Sequence, residues 1–106
     1  MKRLTDCEEL VMSVIWDADE NLNLPQIVER VNRRYEKDWA MQTVSTFLAR
    51  LRRKGVVDAT RSGRTFFYQV LMPKEDYISM VAKGVCDFWF DGNIKKMTDS
   101  VKRSKQ

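Results

Sequence analysis

Histidine is absent from this chain, and cysteine, proline and glycine are all sparse, with two, two and four copies. Without histidine the commonest general base and a common metal ligand are both missing. The cysteines, Cys7 and Cys86, stand 79 positions apart, too far for a recognisable metal-ligand spacing. Both fall at apolar positions of predicted helices, as reduced thiols of a cytosolic protein would, and they do not suggest a disulfide framework. No P-loop or dinucleotide-type glycine pattern occurs. These gaps argue against an enzyme or a metal sensor, and no cofactor is expected. Scarce glycine and proline also mean that helices should dominate. No apolar run approaches the roughly 18 residues of a membrane span. The N-terminal MKRLTDCEEL has no apolar stretch before its acidic residues, so neither membrane insertion nor a secretory signal is expected and the cytoplasm is the expected location.

What is present is a chain of 106 residues, 43% of them hydrophobic, enough for one compact domain with an appendage. The net charge of +4 is unevenly spread. Residues 1–20 carry two basic and six acidic side chains, whereas residues 30–64 carry ten basic and three acidic ones. Such asymmetry gives the molecule one face that attracts polyanions.

The local signals come in order. Thr5-Asp6-Cys7-Glu8 is a capping box. Behind it Cys7, Leu10, Val11, Val14 and Ile15 form an amphipathic stripe, closed by Trp16. Pro25 opens a second helix with Leu24, Ile27, Val28, Val31 and Tyr35 on its buried side. A polar linker, Glu36-Lys37-Asp38, leads to a third helix, AMQTVSTFLARLRRKG (40–55), whose apolar stripe is Val44, Phe47, Leu48 and Leu51. Gly55 ends it. Then the period changes. Val56–Thr60 and Thr65–Leu71 are β-branched and aromatic, and Arg61-Ser62-Gly63-Arg64 between them is a turn, so a β-hairpin is expected there. Three helices followed by a basic hairpin make a winged helix-turn-helix. The predicted fold is mainly α with a small β-hairpin: a DNA-binding domain over 1–72, then a C-terminal helical segment over 73–106.

The third helix suggests the function. Its outward side offers Gln42, Thr43, Thr46, Arg50 and Arg53, with small Ser45 and Ala49 between them and no acid anywhere. Gln and Arg can make paired contacts to adenine and guanine, and threonine can meet a thymine methyl or a phosphate. Small residues let the backbone approach, and missing acids avoid phosphate repulsion. That combination suits insertion into a major groove. Arg61 and Arg64 on the wing would meet phosphates or the adjoining minor groove. Arg52 and Lys54 could do similar backbone work or simply face water. The competing class is a winged-helix protein-interaction module without sequence-specific DNA binding, since fold alone does not fix function.

The fourth predicted helix, from about Lys74, is apolar on more than one side, with Tyr77, Ile78, Val81, Val85, Phe88 and Trp89 among its large residues. One winged helix cannot cover that much surface, so a second copy of the chain is the expected cover and these six the expected dimerisation residues. After Asp91-Gly92-Asn93, residues Ile94, Met97 and Val101 give a narrow stripe on a final basic helix.

In sequence order, LTDCEELVMSVIW (4–16), TVSTFLARLRRKG (43–55), GRTFFY (63–68) and DYI (76–78) resemble the penicillinase-repressor family, which includes the methicillin-resistance regulators and copper-responsive repressors of Gram-positive bacteria. The resemblance spans about residues 4–90. It implies a homodimer that represses transcription from a palindromic operator, with Gln42, Thr43, Thr46 and Arg50 facing DNA and Arg64 as the wing contact. It also implies a regulatory protease as a partner, because antibiotic-responsive members are cut between an Asn and a Phe in the C-terminal domain. The corresponding region here, Thr98-Asp99-Ser100-Val101, lacks that pair, and the cysteine-rich tail of copper-responsive members is missing. The C-terminal segment is shorter than the family's usual one, so dimerisation is expected to rest mainly on the fourth helix.

Overall fold

The computed structural model describes residues 3–105. It divides into two compact units, Met1–Pro73 and Lys74–Gln106.

In the first unit, α1 (Asp6–Trp16) begins at the expected capping box. Thr5 Oγ1 accepts from the Glu8 backbone N–H at 3.3 Å, and Glu8 Oε1 accepts from the Thr5 N–H at 2.9 Å, which satisfies two donors that the first helical turn leaves open. A second capping box opens α2 (Leu24–Tyr35): Asn23 and Gln26 exchange the same pair of bonds, with Pro25 just inside the helix. At its other end the C-cap residue Glu36 takes a left-handed conformation (φ 53°), and α3 (Met41–Arg53) follows after residues 37–40.

The hairpin is β2 (Val57–Ser62) and β3 (Thr65–Val70), in antiparallel register from Val57↔Val70 to Ser62↔Thr65. Gly63 has φ 65° while Arg64 keeps a negative φ, the pattern of a type II′ turn, which suits the right-handed twist of the strands. The sheet differs from the sequence expectation at several points. The sheet has three strands, because β1 (Leu22–Asn23) pairs with β3 through Leu22↔Tyr68 and Asn23↔Phe67. Arg61 lies in strand β2 opposite Phe66, so the turn itself is only Gly63-Arg64. Val56 stays outside the strand; its carbonyl accepts from Leu71 and Met72, and Trp16 Nε1 donates to the Met72 carbonyl at 2.9 Å, fastening the end of β3 to α1.

Helix α1 packs against both α2 and α3. The core is Val11, Met12, Val14 and Ile15 of α1, Leu22 of β1, Ile27, Val28 and Val31 of α2, Val44, Leu48 and Leu51 of α3, with Val56 and Val57. Met12 was not part of the predicted stripe, yet it is fully buried, while Cys7, Leu10 and Phe47 are only half-buried. A helix gripped by two neighbours needs a wider apolar arc than one stripe. Each fully buried Leu or Val contributes roughly 1.5–3 kcal/mol relative to exposure.

The second unit is α4 (Lys74–Phe90) and α5 (Ile94–Ser104). Asp91 and Gly92 take positive φ values of 51° and 76° at the break, and Asn93 caps α5 by accepting from the Lys96 N–H at 3.0 Å. Only Tyr77 and Cys86 of these two helices are buried. Among the described residues no helix is long and apolar enough to cross a membrane.

Candidate nucleic-acid interface

The turn before α3 is held by Asn32, a residue not singled out from the sequence. Its amide donates to the Trp39 carbonyl and accepts from the Trp39 N–H, both at 3.0 Å. The indole then packs on Phe47 of α3 with ring centroids 5.2 Å apart. One side chain in α2 thereby fixes where α3 begins and how it is rotated. Arg34 bonds Asp17 at 2.8 Å and the Ser13 and Tyr35 hydroxyls are in contact, so α2 is also tied to α1.

The start of α3 is chemically open. Ala40 is its N-cap and supplies no side-chain bond, and no acidic residue occupies the first turn. The N–H groups there and the helix dipole favour a negative charge. Gln42, Thr46, Ala49, Arg50 and Arg53 are exposed, and their spacing places them along one side of the helix. Thr43 and Ser45 are half-buried at its margin. Thr46 Oγ1 donates to the Gln42 carbonyl at 3.0 Å, which orients its methyl and hydroxyl. Arg50 has its guanidinium 5.9 Å from the Phe47 ring centroid.

The cations beyond Arg50 separate into two kinds. Arg50 and Arg53 have no carboxylate partner among the described residues. Arg52 and Lys54 both do: Arg52 pairs with Asp58 at 3.4 Å, and Lys54 pairs with the buried Glu8. Asp58 is the sole acidic residue of positions 39–73, so its pairing leaves that stretch without a free carboxylate. Burial disfavours the charged form of Glu8, but the bonds from Lys54 and Thr5 outweigh it and hold the carboxyl below the usual glutamate value.

On the wing, Arg64 is exposed in the two-residue turn. Arg61 donates through Nε to the Gly63 carbonyl at 2.9 Å and lies 5.9 Å from the ring of Phe66, itself 52% exposed. The structure thus gathers Gln42, Thr46, Arg50 and Arg53 on one helix side, sets Thr43 at its edge, and puts Arg61 and Arg64 at the hairpin end.

The residues expected at a dimer contact separate too. Ile78, Phe88 and Trp89 are 53%, 76% and 71% exposed, and the two aromatic rings meet edge to face at 4.9 Å. Val81 and Val85 are half-buried. Tyr77 is only 4% exposed within the single chain, which leaves little of it for a partner.

A sequence profile of the penicillinase repressor family matches residues 4–106. The chain belongs to the penicillinase repressor family. The penicillinase repressor of Bacillus licheniformis is 26% identical over 95 residues, 90% of this chain and 72% of that protein. The methicillin resistance regulatory protein MecI of Staphylococcus aureus is 24% identical over 94 residues, 89% and 74% of the two chains. Among solved structures, the B. licheniformis BlaI monomer in complex with the blaP half-operator superposes with a TM-score of 0.59 at 29% identity, covering 72% of this chain and 89% of that one. The hsRosR-S1 complex shares the fold alone, with a TM-score of 0.61 at 16% identity over 96% of this chain and 91% of that one. The penicillinase repressor family is a family of transcriptional repressors and not of enzymes, and this chain is a DNA-binding repressor of the winged-helix type.

Proposed function

We propose that the protein is a sequence-specific repressor that binds a two-fold symmetric operator as a homodimer in the cytoplasm. The observation that carries this reading is the exposed, acid-free side of α3, with Gln42, Thr46, Arg50 and Arg53 aligned behind an uncapped helix start. Gln42, Thr43, Thr46 and Arg50 would read base edges in the major groove, while Arg53, Arg61 and Arg64 neutralise phosphates. The BlaI half-operator complex supports the general mode, because it is a relative of the same fold bound to half of an operator.

The homodimer reading is supported by the apolar surface of the C-terminal helices, where Phe88, Trp89 and Ile94 are each more than two-thirds exposed. An apolar patch of this kind on a small chain marks an interaction site. A two-fold axis through it would set two α3 helices in major grooves separated by one helical turn or a multiple of it. Repression follows from occupying a promoter.

Selection of bound duplexes from a random library at near-physiological salt tests the proposal. The expected result is enrichment of a symmetric site. Recovery of unrelated sequences, with affinity that collapses as salt rises, would overturn sequence-specific binding. On the selected site Arg50→Ala should cost about 1–3 kcal/mol and relax preference at one position per half-site. A uniform loss across all sequences would instead make Arg50 a phosphate contact.

A further inference from the structure

We infer that Glu8 is a positioning residue for DNA binding: it holds Lys54 off the DNA and locks the last turn of α3 to the start of α1. The inference rests on the reading of α3 as the DNA-contacting helix.

Glu8 is 1% exposed, the one buried charged residue among the described ones. Its Oε1 serves two elements at once. It accepts from the Thr5 N–H, closing the cap of α1, and from Lys54 Nζ, the C-cap residue of α3. Lys54 Nζ also lies 3.5 Å from the Arg3 carbonyl, so a second donor–acceptor pair holds the same two chain segments. The other carboxylate oxygen, Oε2, is buried and has no hydrogen-bond partner.

A buried carboxylate with one unsatisfied oxygen is a poor device for stability. Desolvation offsets much of what an ion pair gains, and apolar pairs of similar volume are often as stable. What charge-assisted bonds supply that apolar contact does not is direction: distance and angle are set together. The direction matters here because of the neighbours. Arg50, Arg53, Lys54, Thr5 and Glu8 line one cavity of about 430 Å³ at this end of α3. Of its three cations, Glu8 consumes Lys54 and leaves Arg50 and Arg53 exposed. Every free cation adds to phosphate attraction regardless of sequence, whereas discrimination depends on side chains held in register with base edges. The pair serves discrimination both ways, by subtracting a phosphate-seeking charge and by fixing the helix that carries Arg50.

The test compares the full chain with its Glu8→Gln and Lys54→Met variants on the selected operator and on an unrelated duplex, from about 50 to 200 mM salt. Thermal unfolding is followed alongside, and binding is read where all three are folded. If Lys54 touches no phosphate, Lys54→Met leaves the salt slope of operator binding unchanged and lowers the operator-to-unrelated ratio about tenfold, the size of one lost base contact. Glu8→Gln frees the ammonium, so the slope steepens by about 0.9 and the ratio falls as well. Should Glu8→Gln not fold, Lys54→Met decides alone. A slope that drops by about 0.9 in Lys54→Met makes Lys54 a phosphate contact and overturns the inference. Unchanged slope and ratio overturn it too, leaving the pair a purely stabilising role. Failure of the unsubstituted chain to select any site removes the DNA reading itself, and the inference with it.

Discussion

Helices α3 and α5 look alike in sequence and fare differently in the fold. Each has a narrow apolar stripe (Val44, Phe47, Leu48 and Leu51 in one, Ile94, Met97 and Val101 in the other), no acid in the first turn and a basic last turn. In α3 the stripe is filled from within the chain: Val44, Leu48 and Leu51 are all 0% exposed. In α5 no residue is buried, and Ile94 and Val101 remain 75% and 51% exposed. Amphipathicity says that a helix has a partner; it does not say which chain the partner belongs to. The outward sides contrast as well. That of α3 mixes amide, hydroxyl and guanidinium groups able to distinguish bases and carries no acid, while that of α5 includes Asp99, which pairs with Lys95 at 3.0 Å.

The sharpest way to break this comparison is to cut the same kind of side chain from each stripe. Leu48→Ala should destabilise the protein by about 2–5 kcal/mol, since it opens a cavity between packed elements. Val101→Ala, measured on dilute protein where association is negligible, should change stability by no more than about 0.5 kcal/mol. Equal effects in denaturant titrations would mean that α5 is as covered within one chain as α3.

Next in size is the association effect. If a second copy covers α4 and α5, Trp89→Ala should weaken the dimer by about 2 kcal/mol, roughly thirtyfold in dissociation constant, because large aromatics near the centre of an interface dominate its energy. Sedimentation across a concentration series reads this directly. A chain that is monomeric at micromolar concentration before any substitution sinks the dimer reading and leaves the apolar patch to some other partner.

The pattern of what was legible follows from range. The five helices, the hairpin and the cap at Thr5 all rest on signals confined to a few neighbouring residues, and all are present in the structure, with the hairpin turn shortened to Gly63-Arg64. The second capping box, Asn23-x-x-Gln26, is just as local and is legible from the same spacing. Strand β1 was not readable, because two residues cannot display a period of two and Leu22 pairs with Tyr68, 46 positions later. The same distance separates Glu8 from Lys54. From the sequence, Lys54 was one more basic residue at the end of a helix, and Glu8 was only the acidic half of a cap. Asn32 was a polar residue in mid-helix, where asparagine has no local reason to sit, and that mismatch was the one available hint that its amide serves the backbone elsewhere. The outward residues of α3 were readable because exposure follows from the same period that buries the stripe.

The smallest expected effect concerns acid. The Glu8 carboxyl is held below its ordinary value in the folded chain, with burial opposing and the bonds from Lys54 and Thr5 prevailing. A carboxyl with a depressed folded value contributes stability that is fully present above its unfolded-state value and is lost as pH falls through the folded one. The loss should therefore begin as pH drops past the ordinary glutamate range and grow below it, with a slope from this one group of at most about 1.4 kcal/mol per pH unit. Lys54→Met removes the main group that favours the ionised form, so desolvation then raises the Glu8 value. The variant should start less stable near neutrality and lose less on acidification, and the two melting-temperature curves should converge as pH falls. Parallel curves would mean that the Glu8 proton is indifferent to Lys54, and that the first and third helices are joined by packing alone.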